Sequence, residues 1–141
     1  MVNGHAEPYG MTPERLERSG YATELSSMVE NVRWLHDAGF RILAGGDFGH
    51  QWTRHGTYAA ELQRYVELVG LTPTEAIHTA TCNTGPLVGL KTGKVVEGYL
   101  ADLCIVRGDP TADIGVLLDA SRRVAVMKDG VFGYVNPKTY P

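Results

Sequence analysis

An apolar period of 3.6 residues, set by Leu25, Met28, Val29, Val32 and Leu35, predicts an amphipathic helix over residues 23–38, closed by Gly39. With no more than a residue or two of connection it runs into FRILAGGD, a short apolar run of the kind found in buried parallel strands. A helix that feeds directly into such a strand is an αβ unit, and it restricts the chain to α/β architectures. The strand is unusual at its end, where Gly45 and Gly46 precede Asp47. Glycine contributes no packing and raises the entropy cost of ordering, so the pair implies that another group approaches this backbone closely.

The remaining segments extend this pattern. Thr12, Pro13 and Glu14 supply an N-cap, a proline at the first helical position and an acid in the first turn, for a short helix over 13–18; the ten residues before it show no periodicity. Tyr58, Leu62, Tyr65, Val66 and Val69 repeat helically up to Gly70. Thr72 to Glu75 read as a capping box opening a helix to about residue 82, which Asn83-Thr84-Gly85-Pro86 should end. Beyond residue 90 the periods give way to short β-rich runs, KVVEG, ADLCIVRG and RRVAVMKDGVFGYV, the last with Asp129-Gly130 as a two-residue hairpin turn. The expected organisation is an α/β part over 1–90 and a small β part over 91–141.

At 141 residues, 43% hydrophobic and with a net charge of -3, the composition is that of a globular domain able to bury a core. No Lys/Arg cluster forms the basic surface that nucleic-acid binding requires. No apolar run approaches the ~20 residues of a membrane span, and the MVNGHAEPYG start has no signal-peptide core, so a cytoplasmic location is expected. Cys82 and Cys104 are far apart and outside any C-x-x-C pattern, which favours free thiols.

The order of motifs, LHDAGFRI, a strand ending Gly-Gly-Asp, His55-Gly56, LTPTEAIHTATCNTGPLVGL, GKVVEGYLADLCIVRGDP and the VMKDG hairpin, resembles the C-terminal part of metal-dependent amidohydrolases of the imidazolonepropionase and prolidase-like branch. The resemblance runs from about Leu25 to Gly130. It implies the C-terminal portion of a (β/α)8 barrel followed by part of a small β-sandwich. Asp47 falls at the end of the barrel's eighth strand, with Gly46 where threonine is commoner. The active sites of such barrels lie at the C-terminal ends of the strands.

From spacing alone, Asp47 reads first as a turn or cap residue. The resemblance gives it contact with a catalytic metal and proton shuttling from a metal-bound water to the leaving group. His55 falls in the HG element that lies near substrate in that family, and His50 is a weaker substrate-side candidate in the same loop. Their five-residue spacing is not that of an H-E-x-x-H zinc pair. Trp52 is a candidate pocket lining or a packing residue. His36 and His78, on helices, read as structural; Asp102 and Asp109-Pro110 read as turn residues.

The resemblance also marks what the chain lacks. The family's His-x-His pair is absent, and a single Asp is too few ligands for a zinc site, which takes about four. A whole barrel needs ~250 residues. The chain therefore reads as a gene fragment, a subunit of a split enzyme or a remnant folded otherwise. One function is hydrolysis of an amide or cyclic-amide C–N bond in a small-molecule or peptide-like substrate. It would need a divalent metal, zinc by default and one or two ions, and the missing N-terminal barrel segment or a partner chain to complete the site. The other function is a non-catalytic α/β module that exposes a strand edge and a helix face and is stabilised by self-association as a homo-oligomer or by a partner.

Overall fold

The structure, a computed structural model, describes residues 12–50 and 53–138. The first ten residues, read above as lacking periodicity, and Trp52 lie outside the described residues.

Helix α1 (Pro13–Arg18) begins where its cap predicts, with Thr12 Oγ1 accepting from Arg15 N at 3.4 Å. Helix α2 (Tyr21–Asp37) follows, and the Gly39 and Phe40 N–H groups return to the carbonyls of His36 and Leu35, closing it. Its apolar stripe meets little: α2 has no buried residue, and Met28 and Trp34 are 58% and 65% exposed.

The expected strand over FRILAGG does not form. Residues 40–47 belong to no sheet, and the only sheet among the described residues lies in the C-terminal part. A strand needs a neighbour to take its ladder bonds, and here helical elements take them instead. Asn83 Nδ2 donates to Ile42 O at 3.0 Å, Ala44 N donates to Thr79 O at 3.0 Å, and Gly45 N donates to Glu61 Oε1 at 2.9 Å.

Helix α3 (Ala59–Arg64) passes into a π-helical turn (Tyr65–Val69), where a continuous helix was expected. The N–H groups of Gly70 and Leu71 both reach Tyr65 O, at 3.0 and 3.1 Å, widening the last turn. Val69 and Leu71 are thereby buried while the Tyr65 hydroxyl stays on Glu61. Helix α4 (Pro73–Ala80) carries the predicted capping box, Thr72 with Glu75. The Asn83–Pro86 stretch does not simply end it, since Gly85–Val88 forms a further helical turn, α5.

Strands β1 (Leu103–Val106), β2 (Arg123–Lys128) and β3 (Val131–Val135) form an antiparallel sheet in that order, with Leu103 opposite Met127 and Lys128 opposite Val131. The β2–β3 turn is the predicted one: Asp129 and Gly130 both have positive φ, 51° and 80°. Asp102 has the expected turn role, accepting Asp129 N at 2.8 Å and Lys128 Nζ at 3.0 Å. KVVEG is not a strand; Val95 and Val96 are 84% and 55% exposed, because β-branched residues without a strand to pair with have no ladder to join.

The core is small. Leu62 of α3, Ala76 of α4 and Ile114, from a 3₁₀ turn over Ile114–Leu117, are buried together, with Ala44, Tyr65, Val66, Ile77 and Leu117 packed around them. Ile114 thus ties the C-terminal part to the helices that carry the glycine segment. No described helix is long and apolar enough to cross a membrane.

Candidate functional site

The segment through Gly45 and Gly46 delivers Asp47 to a tight loop. Asp47 takes a left-handed backbone, φ 46°, which aspartate tolerates better than most residues. Thr53 closes the loop: its hydroxyl donates to Asp47 O at 2.8 Å, its carbonyl accepts Gly49 N at 2.8 Å, and its N–H donates to His50 O at 3.2 Å. The Asp47 carboxylate is 90% exposed, and His50 Nε2 lies 3.4 Å from its Oδ2.

His55 belongs to the same cluster. Its Nδ1 is 2.8 Å from the Tyr58 hydroxyl, and a Cβ placed on Gly49 would lie 3.2 Å from its Nε2. The Tyr58 ring meets Phe48 edge to face at 4.5 Å between centroids. Asp47, His50 and His55, separated in sequence, therefore share one loop cluster. His36 lies elsewhere, with Nε2 3.5 Å from Glu75 Oε1.

Phe48 and Glu61 account for the second glycine. A Cβ on Gly46 would fall 2.8 Å from the Phe48 ring and 3.0 Å from Glu61 Oε2. Gly46 lets Phe48 fold back over the backbone and lets the Glu61 carboxylate reach the Gly45 amide. Beneath them Tyr65 donates its hydroxyl to Glu61 Oε1 at 3.0 Å, with Leu43 O at 3.3 Å. Burial, and after it the Glu61 charge and hydrogen bond, push the Tyr65 hydroxyl up to about 12.

A cavity of about 530 Å³ lies between the helical part and the sheet. Asp47, Phe48, Tyr58 and Glu61 line one side; Val106 and Arg123 line the other. Sequence reasoning missed Glu61 and Tyr65 as site residues. Tyr58, Glu61 and Tyr65 stand at i, i+3 and i+7, which places them on one helical face, a signal present in the sequence but without meaning until Gly45 is seen beside it.

The resemblance noted in the sequence implies a divalent metal at such a site. Among the described residues no three His, Cys, Asp or Glu side chains come together as a metal-ligand set. Asp47 provides one carboxylate with an imidazole beside it, so the donors among the described residues do not by themselves fit a metal centre of about four ligands.

Comparison with known proteins places this geometry in context. Ochratoxinase of Aspergillus niger is 41% identical over 78 residues, which cover 53% of this chain and 16% of that protein. The crystal structure of A. niger ochratoxinase superposes with a TM-score of 0.75 at 29% identity, over 91% of this chain and 29% of that one. The crystal structure of a Xaa-Pro dipeptidase with methionine bound in its active site gives 0.69 at 31% identity, over 86% of this chain and 28% of that one. The chain thus spans less than a third of the length of these proteins. The sequence pattern of the Amidohydrolase family matches residues 6–132, and the chain belongs to the amidohydrolase family.

Proposed function

We propose that this chain is the C-terminal portion of a metal-dependent hydrolase that cleaves an amide or cyclic-amide C–N bond in a small-molecule or peptide-like substrate, with Asp47 as its catalytic carboxylate. The observation that carries this reading is the position of Asp47, exposed where the glycine segment ends and bordering the 530 Å³ cavity. The resemblance to ochratoxinase and to a Xaa-Pro dipeptidase supports the bond type.

In this reading residues 1–90 are the closing part of a (β/α)8 barrel, with the FRILAGGD segment in the place of its eighth strand, and residues 91–141 contribute strands of a composite β-sandwich. The other strands and the metal-ligating histidines come from a barrel segment outside this sequence, on the same polypeptide or on a partner chain. Asp47 accepts a proton from the attacking water and returns it to the leaving nitrogen as the C–N bond breaks. His55 and His50 face the substrate from the loop. A divalent metal, zinc by default, held mainly by ligands outside this chain, supplies the activation of the water.

A second reading, a non-catalytic α/β module stabilised by self-association, draws support from the exposed apolar stripe of α2 and from β3, which is exposed along its whole length. Native mass spectrometry of the protein purified from its own cells, with resolution for metal ions, separates the two. A larger polypeptide or a complex carrying one or two metals, with turnover of Xaa-Pro dipeptides or other small amides, supports the hydrolase. A metal-free species at 15.4 kDa or a multiple of it, without turnover, overturns it.

A further inference from the structure

We propose that Glu61, braced by Tyr65, is the positioning residue for Asp47: it holds, from a helix, the backbone two residues before the carboxylate. This rests on the reading of Asp47 given above.

The glycine segment is attached to the helices at alternating depths. Asn83 holds Ile42 O, Thr79 O holds Ala44 N, and the last attachment before Asp47 is the bond from Gly45 N to Glu61 Oε1 at 2.9 Å. A hydrogen bond from an amide to a carboxylate is about twice as strong as one between neutral groups, which suits a single contact that must hold the end of the glycine segment. Glu61 is itself fixed, because Tyr65, one helical turn later, donates to the same oxygen at 3.0 Å. The Tyr65 ring belongs to the shell packed around Leu62, Ala76 and Ile114, so the brace is anchored in the core.

Gly46 is part of the device, since a side chain there would meet Glu61 Oε2 and the Phe48 ring. Downstream, Asp47 is held through its own carbonyl by Thr53. The Asp47 backbone is thus clamped on both sides, by Glu61 before it and Thr53 after it, while its carboxylate remains exposed. A reacting group displaced by about 1 Å can lose about 100-fold in rate, which sets the size of effect that loosening the clamp produces.

Glu61→Ala, Glu61→Gln and Asp47→Asn test this in the assembled hydrolase with a Xaa-Pro dipeptide as probe, alongside amide hydrogen exchange at Gly45 in the full chain. Glu61→Ala is expected to lower kcat about 100-fold with KM within about twofold, and to speed exchange of the Gly45 amide. Glu61→Gln is expected to restore both, because the side-chain amide oxygen accepts the same two bonds. A glutamine variant as impaired in kcat as the alanine one, with Gly45 still protected, overturns the proposal in favour of a carboxylate that takes part in the chemistry. An alanine variant with unchanged kcat or unchanged Gly45 exchange also overturns it. Asp47→Asn at full activity removes the reading of Asp47, and with it the catalytic consequence of the clamp, while Gly45 exchange still reports whether Glu61 holds the segment.

Discussion

The guanidinium of Arg33 on α2 reaches the end of the π-helical turn, donating Nη2 to Leu68 O at 2.8 Å and Nε to Val69 O at 3.0 Å. Terminal carbonyls of a helix have no partner of their own, and a cation there also complements the helix dipole. These two bonds are a main tie between α2, which buries no residue, and the rest of the fold. Arg33→Met, which keeps the aliphatic stem, is expected to destabilise the chain by about 1 kcal/mol, lowering Tm by about 3 °C in a thermal melt.

Gly46→Ala places a methyl group 2.8 Å from the Phe48 ring. The expected cost is about 1–3 kcal/mol from overpacking, read as a lower denaturant midpoint. In a double-mutant cycle Phe48→Ala should relieve much of that cost, because it removes the nearer of the two clashing groups. Purely additive effects would mean that the ring does not constrain the glycine.

The capping box on α4 has a pH signature. Hydrogen bonds from the Thr72 hydroxyl and then the Thr72 N–H, with the His36 charge contributing less, hold the Glu75 carboxyl below its ordinary value of 4.5. Because the folded-state value is depressed, the stabilisation is present above about pH 4.5 and is lost as the pH falls through the lowered value. Thr72→Ala should cost about 1 kcal/mol at neutral pH and a smaller amount once the pH has fallen below the lowered Glu75 value. Urea titrations under the two conditions check this.

Tyr65 gives a complementary signature in base. Its hydroxyl is raised from 10.0 to about 12, so its contribution to stability is complete below pH 10 and is lost as the pH rises towards 12. Ultraviolet titration should show a late-ionising component that Tyr65→Phe removes. Glu61→Gln should move that titration towards lower pH, since the Glu61 charge is one of the causes of the shift.

Asp47→Asn is expected to lower kcat of the assembled hydrolase by at least about 1000-fold, because asparagine cannot carry the proton, while the melting temperature of this chain stays within a degree or two. The carboxylate is 90% exposed, with His50 Nε2 3.4 Å away, so folding has little to lose. Steady-state kinetics with a Xaa-Pro dipeptide, paired with a thermal melt, separates the two effects.

Much of the local structure was legible in the sequence because it is decided within a few residues. Thr12-Pro13, Gly39, Thr72 with Glu75 and Asp129-Gly130 each mark a boundary by chemistry that acts over one turn, and each boundary stands in the structure. Besides the π-helical turn after Arg64 and the helical turn Gly85–Val88, two segments departed from expectation, FRILAGG and KVVEG, and their conformation depends on a neighbouring strand. Residue propensity cannot supply a ladder partner, so the same apolar run becomes a helix-braced segment in one place and an exposed loop in the other.

That Asp47 follows two glycines, with His50 and His55 within one loop's reach, is plain from the order of residues. The reason for the glycines emerges from the packing. Glu61 lies 16 residues from Gly45, and its carboxylate meets that amide only because Leu62, Ala76 and Ile114 pull α3, α4 and the C-terminal part into one core. Burial is cooperative and non-local, so the position of a half-buried glutamate beside a bare backbone is set by residues far from both, and no local pattern announces it.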